Sequence, residues 1–417
     1  MYICQFIWNI FTYIGTFILL FANVFLIYSI IKYKKEIEKK YSDTDWKPKV
    51  SIIIPTYNES VKTLEKTILC VLKSNYPKNK LELIIVDDGS TNDSCDIIKQ
   101  KYKSQNIKIF KKENGGPASA KNYGIKKSKG ELVGTIDSDS FIAPNTIYNM
   151  IKIFKSDKSI GAVASSVKIF NPKKWIERFQ HFEYEVILYV RRIFMVYESI
   201  YVTPGGFSLY KKKILNKLKG FDENSLTEDI EIALRIQSLG YKIRSSLDAY
   251  VYTVPPQDIL SLIKQRVRWI RGGIRDRIKN RHLFSFEYGD FLYLGMCFDF
   301  IILIPICIGI VAPFIMALLN ASWINELGFV SLAYLSTSHI TGIGIIITIL
   351  TVSWTLSVIN FMEKNSEEGT KVGWDPIGIL IFIFAYGYIM VFSWLVAFYK
   401  EITFSKKSWE TRESIVR

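Results

Sequence analysis

Apolar and charged positions are segregated along the chain. Residues 1–31 carry no Asp, Glu, Lys or Arg, and neither do 300–325, 327–362 or 376–399. A helix needs about 20 apolar residues to cross a bilayer, so these stretches predict membrane spans. Residues 5–31 read as an anchor and not as a signal peptide. There is no basic leader, the apolar run is too long, and no small-residue cleavage pattern precedes the charges. Further spans are expected over 291–319 and 376–399. The stretch 327–362 is long for one crossing and short for two, and Gly342 and Gly344 mark a place for a break. Lys32, Lys34, Lys35, Lys39 and Lys40 follow the first span; Lys400, Lys406, Lys407, Arg412 and Arg417 follow the last. Basic residues favour the cytoplasmic side, which puts both segments there and the N-terminus outside. An even number of crossings must then separate them, which favours five spans over four.

The region between the basic linker and the second span is patterned differently. Short β-rich runs at 50–54, 83–86, 107–110 and 132–136 alternate with helical runs at 63–73 and 94–102. This alternation predicts βαβ units on a mostly parallel sheet, with functional groups at the carboxyl ends of its strands. Polar clusters stand at those ends. Pro55-Thr56-Tyr57-Asn58-Glu59 follows the first strand, Asp87-Asp88-Gly89-Ser90 the second, and Asp137-Ser138-Asp139 the fourth. The expected organisation is an anchor with a basic linker over 1–47, an α/β domain with interfacial helices over 48–285, and a membrane region with a basic tail over 286–417.

Composition narrows the class. Apolar residues make up 49% of the 417 positions, yet charged residues still make up 22%. So much apolar surface excludes a disordered chain, and the charge-free spans exclude a purely soluble one. The net charge of +15 admits nucleic acid, anionic lipid or phosphorylated substrates as partners. Nucleic acid is set aside, because no RNA-binding aromatic signature, zinc finger or helix-turn-helix is present. The five cysteines include no C-x-x-C pair, so neither a disulfide framework nor a zinc ribbon is expected.

Each polar cluster has a bland reading beside a chemical one. Asp137-Ser138-Asp139 is a solvated turn, or a D-x-D that holds Mg²⁺ or Mn²⁺ on a diphosphate, since hard cations prefer carboxylate oxygens. Asp88 is a turn residue, or an acceptor for the N–H of a pyrimidine. Asn114-Gly115-Gly116-Pro117 is a flexible loop, or a phosphate contact at the start of a helix over 118–125. Thr227 is the N-cap of a helix over 230–239, or part of a Thr227-Glu228-Asp229 set in which Asp229 is a general base. Gln265, Arg268 and Trp269 stand at i, i+3 and i+4 and share a helix face; with Arg266 and Arg271 they form a cationic, aromatic patch. The bland reading of that patch is a helix lying among lipid headgroups.

The ordered set is more specific than its parts. Pro55-Thr56-Tyr57-Asn58-Glu59, Asp88, Asp137-Ser138-Asp139, Thr227-Glu228-Asp229 and Gln265-Arg266-Val267-Arg268-Trp269 resemble, in order and spacing, the processive family 2 glycosyltransferases. That family includes cellulose, hyaluronan and poly-N-acetylglucosamine synthases, and Gly272-Gly273 after Trp269 is most similar to the last. The resemblance spans about residues 48–285.

It implies a GT-A (Rossmann-like) cytoplasmic domain inserted between transmembrane helices of a multi-pass plasma-membrane protein. It implies an inverting β-glycosyltransferase that uses a UDP-sugar such as UDP-N-acetylglucosamine to elongate, and pass across the membrane, a polysaccharide. The alternative is transfer of one sugar to a lipid-linked acceptor or glycolipid. Thr56, Tyr57, Glu59, Asp88 and Asp137 would bind the nucleotide sugar, with Tyr57 and Asp88 on the uracil. Asp139 would hold Mg²⁺ or Mn²⁺, and Asp229 would deprotonate the acceptor. Gln265, Arg268 and Trp269 would bind the acceptor, with Arg268 also meeting the diphosphate. Membrane lipids and a small accessory membrane subunit complete the implied partners. Two places depart from the pattern: Pro117 stands where related synthases often have Lys, and no Ser precedes Gly205 in Pro204-Gly205-Gly206-Phe207.

Overall fold

The computed structural model describes residues 2–103, 107–288, 290–298, 341–365 and 375–403. A long helix, α1 (Tyr2–Ile37), leads into the domain with a kink at Tyr33. The strands and helices then follow as β1 (Val50–Thr56), α2 (Val61–Leu72), β2 (Leu81–Asp87), α3 (Ser94–Lys101), β3 (Ile107–Lys111), α4 (Pro117–Lys127) and β4 (Leu132–Thr135). All four strand expectations and the three early helix expectations fall on these elements. The second half runs β5 (Ser140–Ile142), α5 (Thr146–Ser156), β6 (Ile160–Ile169), α6 (Trp175–Val196), β7 (Ser208–Lys211), α7 (Lys212–Lys217), α8 (Glu228–Ser238), β8 (Lys242–Thr253) and α9 (Ile259–Lys279). Two more long helices are described, α10 (Thr341–Lys364) and α11 (Pro376–Ile402).

One mixed sheet has the order β3-β2-β1-β4-β7-β6-β8-β5. β1 is parallel to both β2 and β4, while β7 runs antiparallel to β4 and β6. The chain winds outward from β1 to β3 and then returns to β4 on the other side of β1. Loops after β1 and β4 therefore diverge and leave a crevice at their carboxyl ends. The unbroken apolar runs of β1 and β2 have a physical reason. Ile52, Ile54, Leu83 and Ile85 pack on one face with α2, α3 and α5, while Ile53, Ile84 and Val86 pack on the other with α4, α7 and α8. A strand buried on both faces has no polar alternation.

Among the described residues three helices are long and apolar enough to cross a membrane: Tyr13–Ile37, Ile346–Lys364 and Pro376–Ile402. Their outward faces leave Phe17, Phe21, Ile31, Phe384 and Tyr399 exposed, a surface that water would penalise and lipid would not. The expected spans over 5–31 and 376–399 and the second part of 327–362 overlap these helices. Most of 291–319 and the first part of 327–362 lie outside the described residues, as does the basic tail from 404.

α6 joins the two parts of the molecule. Phe182, Leu188, Tyr189, Ile193 and Phe194 pack with Ile37 of α1, Val358 and Phe361 of α10, and Ile379 of α11. The buried Arg192 donates to the carbonyls of Glu36, Ile37 and Lys39 at the end of α1 and to Ser245 of β8. A cation suits the negative end of a helix dipole, so this residue fastens the anchor to the sheet.

Candidate active site

A single cleft of about 1500 Å³ opens at the carboxyl ends of β1 and β4 and runs along α6, α9 and α11. Thr56, Tyr57, Glu59, Asp88, Asp137, Asp139, Asp229, Gln265, Arg268 and Trp269 all line it. Residues scattered over more than two hundred positions are thus brought to one surface.

The segment after β1 is clasped to its neighbours. Asn58, in the left-handed region at φ 51°, accepts from Thr91 N and Oγ1, while its own N–H donates to Ser90 Oγ. Ser138 Oγ donates to Glu59 Oε2 at 3.1 Å, which ties this segment to the D-x-D. Tyr57 keeps an open ring, 37% exposed, and the buried Thr56 Oγ1 has no partner among the described residues.

Asp88 is already engaged. Its carboxylate accepts Lys112 Nζ at 2.7 Å, Gly116 N at 2.7 Å and Gly115 N. A carboxylate has about four lone-pair sites, and these bonds fill them. The Asn114–Pro117 stretch is consequently not a loose loop: Asp88 holds it, and Pro117 opens α4 at the first helical position.

Beyond β4, Asp137 N donates to Gly205 O, and a Cβ on Gly205 would stand 2.8 Å from Asp137 Oδ2. Only glycine lets the 204–207 loop come so near the carboxylate. Burial raises the Asp137 carboxyl to about 6, with Asp139 and Glu228 pushing up and Lys121 and Arg268 pulling down. Asp229 is likewise raised to about 6, first by burial and then by Glu228, against Lys121 and Arg268. Burial also works against the Glu228 charge, but Lys121 Nζ at 2.7 Å outweighs it and holds that carboxyl low. Three acids and two cations thus act on one another across the cleft, with Asp229 the raised member on α8.

Thr227 stands at the N-cap position, but its hydroxyl does not cap the helix. It donates to Asp276 Oδ2 on α9 at 2.7 Å, and Ser225 Oγ bonds the same carboxylate. Gly272, one turn earlier, lets α9 approach: a Cβ there would fall 2.1 Å from Thr227 Oγ1.

On α9, Gln265, Arg268 and Trp269 share a face, as their spacing predicts. Arg266 is buried under the Trp269 ring with Cζ 4.2 Å from its centroid, donates to Gln265 Oε1, and pairs with Glu183 of α6. Arg271 pairs with Glu401 at the end of α11. Both cations turn into protein, so the bland reading of this helix as a headgroup-facing patch fails for them. Lys121, Asp276 and Glu183 carry no role in the sequence patterns; Lys121 lies in the helix expected over 118–125, and the other two have no local signal.

Residues 51–219 match the model of glycosyl transferase family 2. Over that segment the chain is similar to family 2 glycosyltransferases. Poly-beta-1,6-N-acetyl-D-glucosamine synthases from Staphylococcus epidermidis and Staphylococcus aureus are 33% identical to it over 226 and 227 residues, 54% of this chain and 54% of theirs. The chain thus spans, in the match, about half the length of these curated relatives. The mannosyltransferase PcManGT from Pyrobaculum calidifontis, solved with GDP-Man and Mn²⁺, superposes with a TM-score of 0.59 at 19% identity, over 85% of this chain and 99% of that one. That likeness speaks to the fold alone. The glycosyltransferase domain is GT-A-like: a mixed sheet clad by helices on both faces, flanked by apolar helices on both sides of the sequence.

Proposed function

We propose that this is a membrane-embedded, inverting β-glycosyltransferase that elongates a polysaccharide from a UDP-sugar, with UDP-N-acetylglucosamine as donor. The observation that carries the reading is the single cleft in which Asp229 faces the D-x-D, with Arg268 acting on the charges of both. The names of the staphylococcal relatives supply the sugar and the polymer. Positive residues after α1 support a cytoplasmic domain.

Roles are assigned residue by residue. Tyr57 offers its open ring to the base, and Thr56 Oγ1 a free hydroxyl. Asp88 bounds the base site through the loop it holds, and touches the base only by exchanging one of its present bonds. Glu59 fixes Ser138 and hence the D-x-D. Asp137 and Asp139 fit a hard divalent cation, Mg²⁺ or Mn²⁺. Among the described residues no group of three or more His, Cys, Asp or Glu is gathered for a metal. Two carboxylates would leave other positions to diphosphate oxygens and water, as Mg²⁺ prefers. Such a cation would neutralise charge on the departing diphosphate. Arg268 contributes a second positive charge there. Asp229 takes the proton from the acceptor hydroxyl, and its raised pKa suits a base working near neutral pH. One base and one leaving group imply a single displacement with inversion. Gln265 and Trp269 hold the acceptor sugar, the indole stacking on its C–H face. The division into 1–47, 48–285 and 286–417 is retained as a proposal, as is a small accessory subunit.

The test is purified full-length protein in detergent with a panel of UDP-sugars, with and without Mn²⁺ or Mg²⁺, reading UDP release and product mass. A metal-dependent ladder from UDP-N-acetylglucosamine is expected. A product grown by one sugar only would move the reading to a single-transfer enzyme, and no turnover of any UDP-sugar would end it.

A further inference from the structure

Arg191 stands beside Arg192 on α6 but is used quite differently. Arg192 spends its donors on four backbone carbonyls. Arg191 is also buried, at 8% exposure against 0% for Arg192, and lines the cleft. Its only hydrogen bond among the described residues is a long one, Nη1 to Ser165 O at 3.3 Å, and its Nε has no partner. No carboxylate lies within ion-pairing distance of it among those residues. A guanidinium has five donors and no acceptor, and a buried cation left so poorly satisfied is costly. Arg266, another buried cation lining the cleft, is paired with the Glu183 carboxylate.

We infer that Arg191 is an acceptor-recognition residue, whose guanidinium takes the acetamido carbonyl of the sugar that receives the next unit. The inference rests on the reading of the cleft as an N-acetylglucosaminyl transfer site. Three observations point to this ligand group. The partner must bring lone pairs and no obligatory donor, which an amide carbonyl does and a ring hydroxyl does only in part. Arg191 lines the cleft together with Tyr184, Tyr201 and the proposed base Asp229, the groups that act on its charge, and burial lowers its pKa only to about 10, so it stays cationic. The charges that act most on Asp137 are instead Lys121, Asp139, Glu228 and Arg268, so the diphosphate has its own cations. Finally, Ile187, Val190 and Phe194 line the cleft on the same helix and give a methyl group an apolar seat.

The experiment uses the full chain in lipid nanodiscs with saturating UDP-N-acetylglucosamine. The acceptors are a β-1,6-linked N-acetylglucosamine oligosaccharide and its de-N-acetylated counterpart, whose ammonium groups Arg191 repels. Isothermal calorimetry with UDP reports folding of the donor site. In Arg191→Met, acceptor KM for the acetylated oligosaccharide should rise roughly 10–100-fold, as expected for a lost charge-assisted hydrogen bond. The de-N-acetylated acceptor should be used as well as before or better, and UDP affinity should not change. Arg191→Lys keeps the charge without the fork. It should raise KM for the acetylated acceptor and still reject the de-N-acetylated one. An unchanged KM in either variant, an equal rise for both acceptors, or loss of UDP binding in both variants overturns the inference. If the wild type transfers nothing from UDP-N-acetylglucosamine, the underlying function has failed instead, a result distinct from an active wild type with indifferent variants.

Discussion

Thr227 Oγ1 donates to Asp276 Oδ2 at 2.7 Å, and this bond joins the helix that carries Asp229 to the helix that carries Gln265, Arg268 and Trp269. Ser225 Oγ lies 2.9 Å from both oxygens of the same carboxylate. Asp276 touches no proposed substrate, so it is a positioning residue. Asp276→Ala leaves two buried hydroxyls without their acceptor, at a cost of about 1–3 kcal/mol each. The base then shifts against the acceptor helix. We expect kcat to fall on the order of 10²-fold, as small misplacements do, with UDP affinity retained. Unaltered kcat in this variant would separate the bond from function.

The same carboxyl makes stability depend on pH. Burial raises it from 3.8 to about 7, against the pull of the Thr227 and Ser225 hydroxyls. The folded protein therefore holds this proton more tightly than the unfolded chain does. Its contribution is complete below pH 3.8 and is lost as pH rises through about 7. Melting temperature should fall between pH 5 and pH 8, and Asp276→Asn, which cannot ionise, should show a shallower fall. Parallel curves for the two proteins would contradict this.

Gly272→Ala tests the closeness of α8 and α9. The added methyl would meet Thr227 Oγ1 at 2.1 Å and Cγ2 at 2.5 Å. One of the helices must move, at about 1–3 kcal/mol for overpacking. A lowered melting temperature and a large loss of transfer are expected together. A variant with full activity would show that the base tolerates displacement.

The acid limb of the pH–rate profile should report Asp229. A base must be deprotonated, so transfer rises as pH passes about 6, the value to which burial and Glu228 raise this carboxyl. Glu228→Gln removes the repulsion and leaves Lys121 and Arg268 to act, so the limb moves to lower pH. Lys121→Met removes a cation and moves it higher. Shifts of the same sign in both variants would assign the limb to another group.

Much of the site was legible before the structure, because family 2 motifs end strands and begin helices. The runs Ile52–Ile54 of β1 and Leu83–Val86 of β2 are apolar without alternation, and the polar residues that follow them are at the crevice. What the sequence did not reveal depends on contacts between distant segments. The Thr227 hydroxyl looks like a helix cap locally and becomes an interhelical bond only when Asp276 arrives from α9. Asp88 looks free to meet a base until Gly115 and Gly116 turn their N–H groups on it. Arg191 and Arg192 are adjacent and chemically identical, and only the tertiary structure gives one four carbonyls and the other an open wall.

The helix that carries the proposed acceptor residues, α9, is fastened to the apolar helix α11. Val267 and Ile270 of α9 pack on Trp394 and Ala397 of α11, and Arg271 and Arg275 both hold Glu401. Tyr386, Met390 and Trp394 of α11 also line the cleft itself. A fragment cut off before α11 would therefore keep the strand ends that receive a nucleotide and lose the wall that shelters the acceptor. Bulk water would then reach the activated donor at 55 M, against an acceptor no longer held in place. Under the proposed function such a fragment is expected to behave as a slow sugar-nucleotide hydrolase, with α11 setting whether sugar or water is the nucleophile.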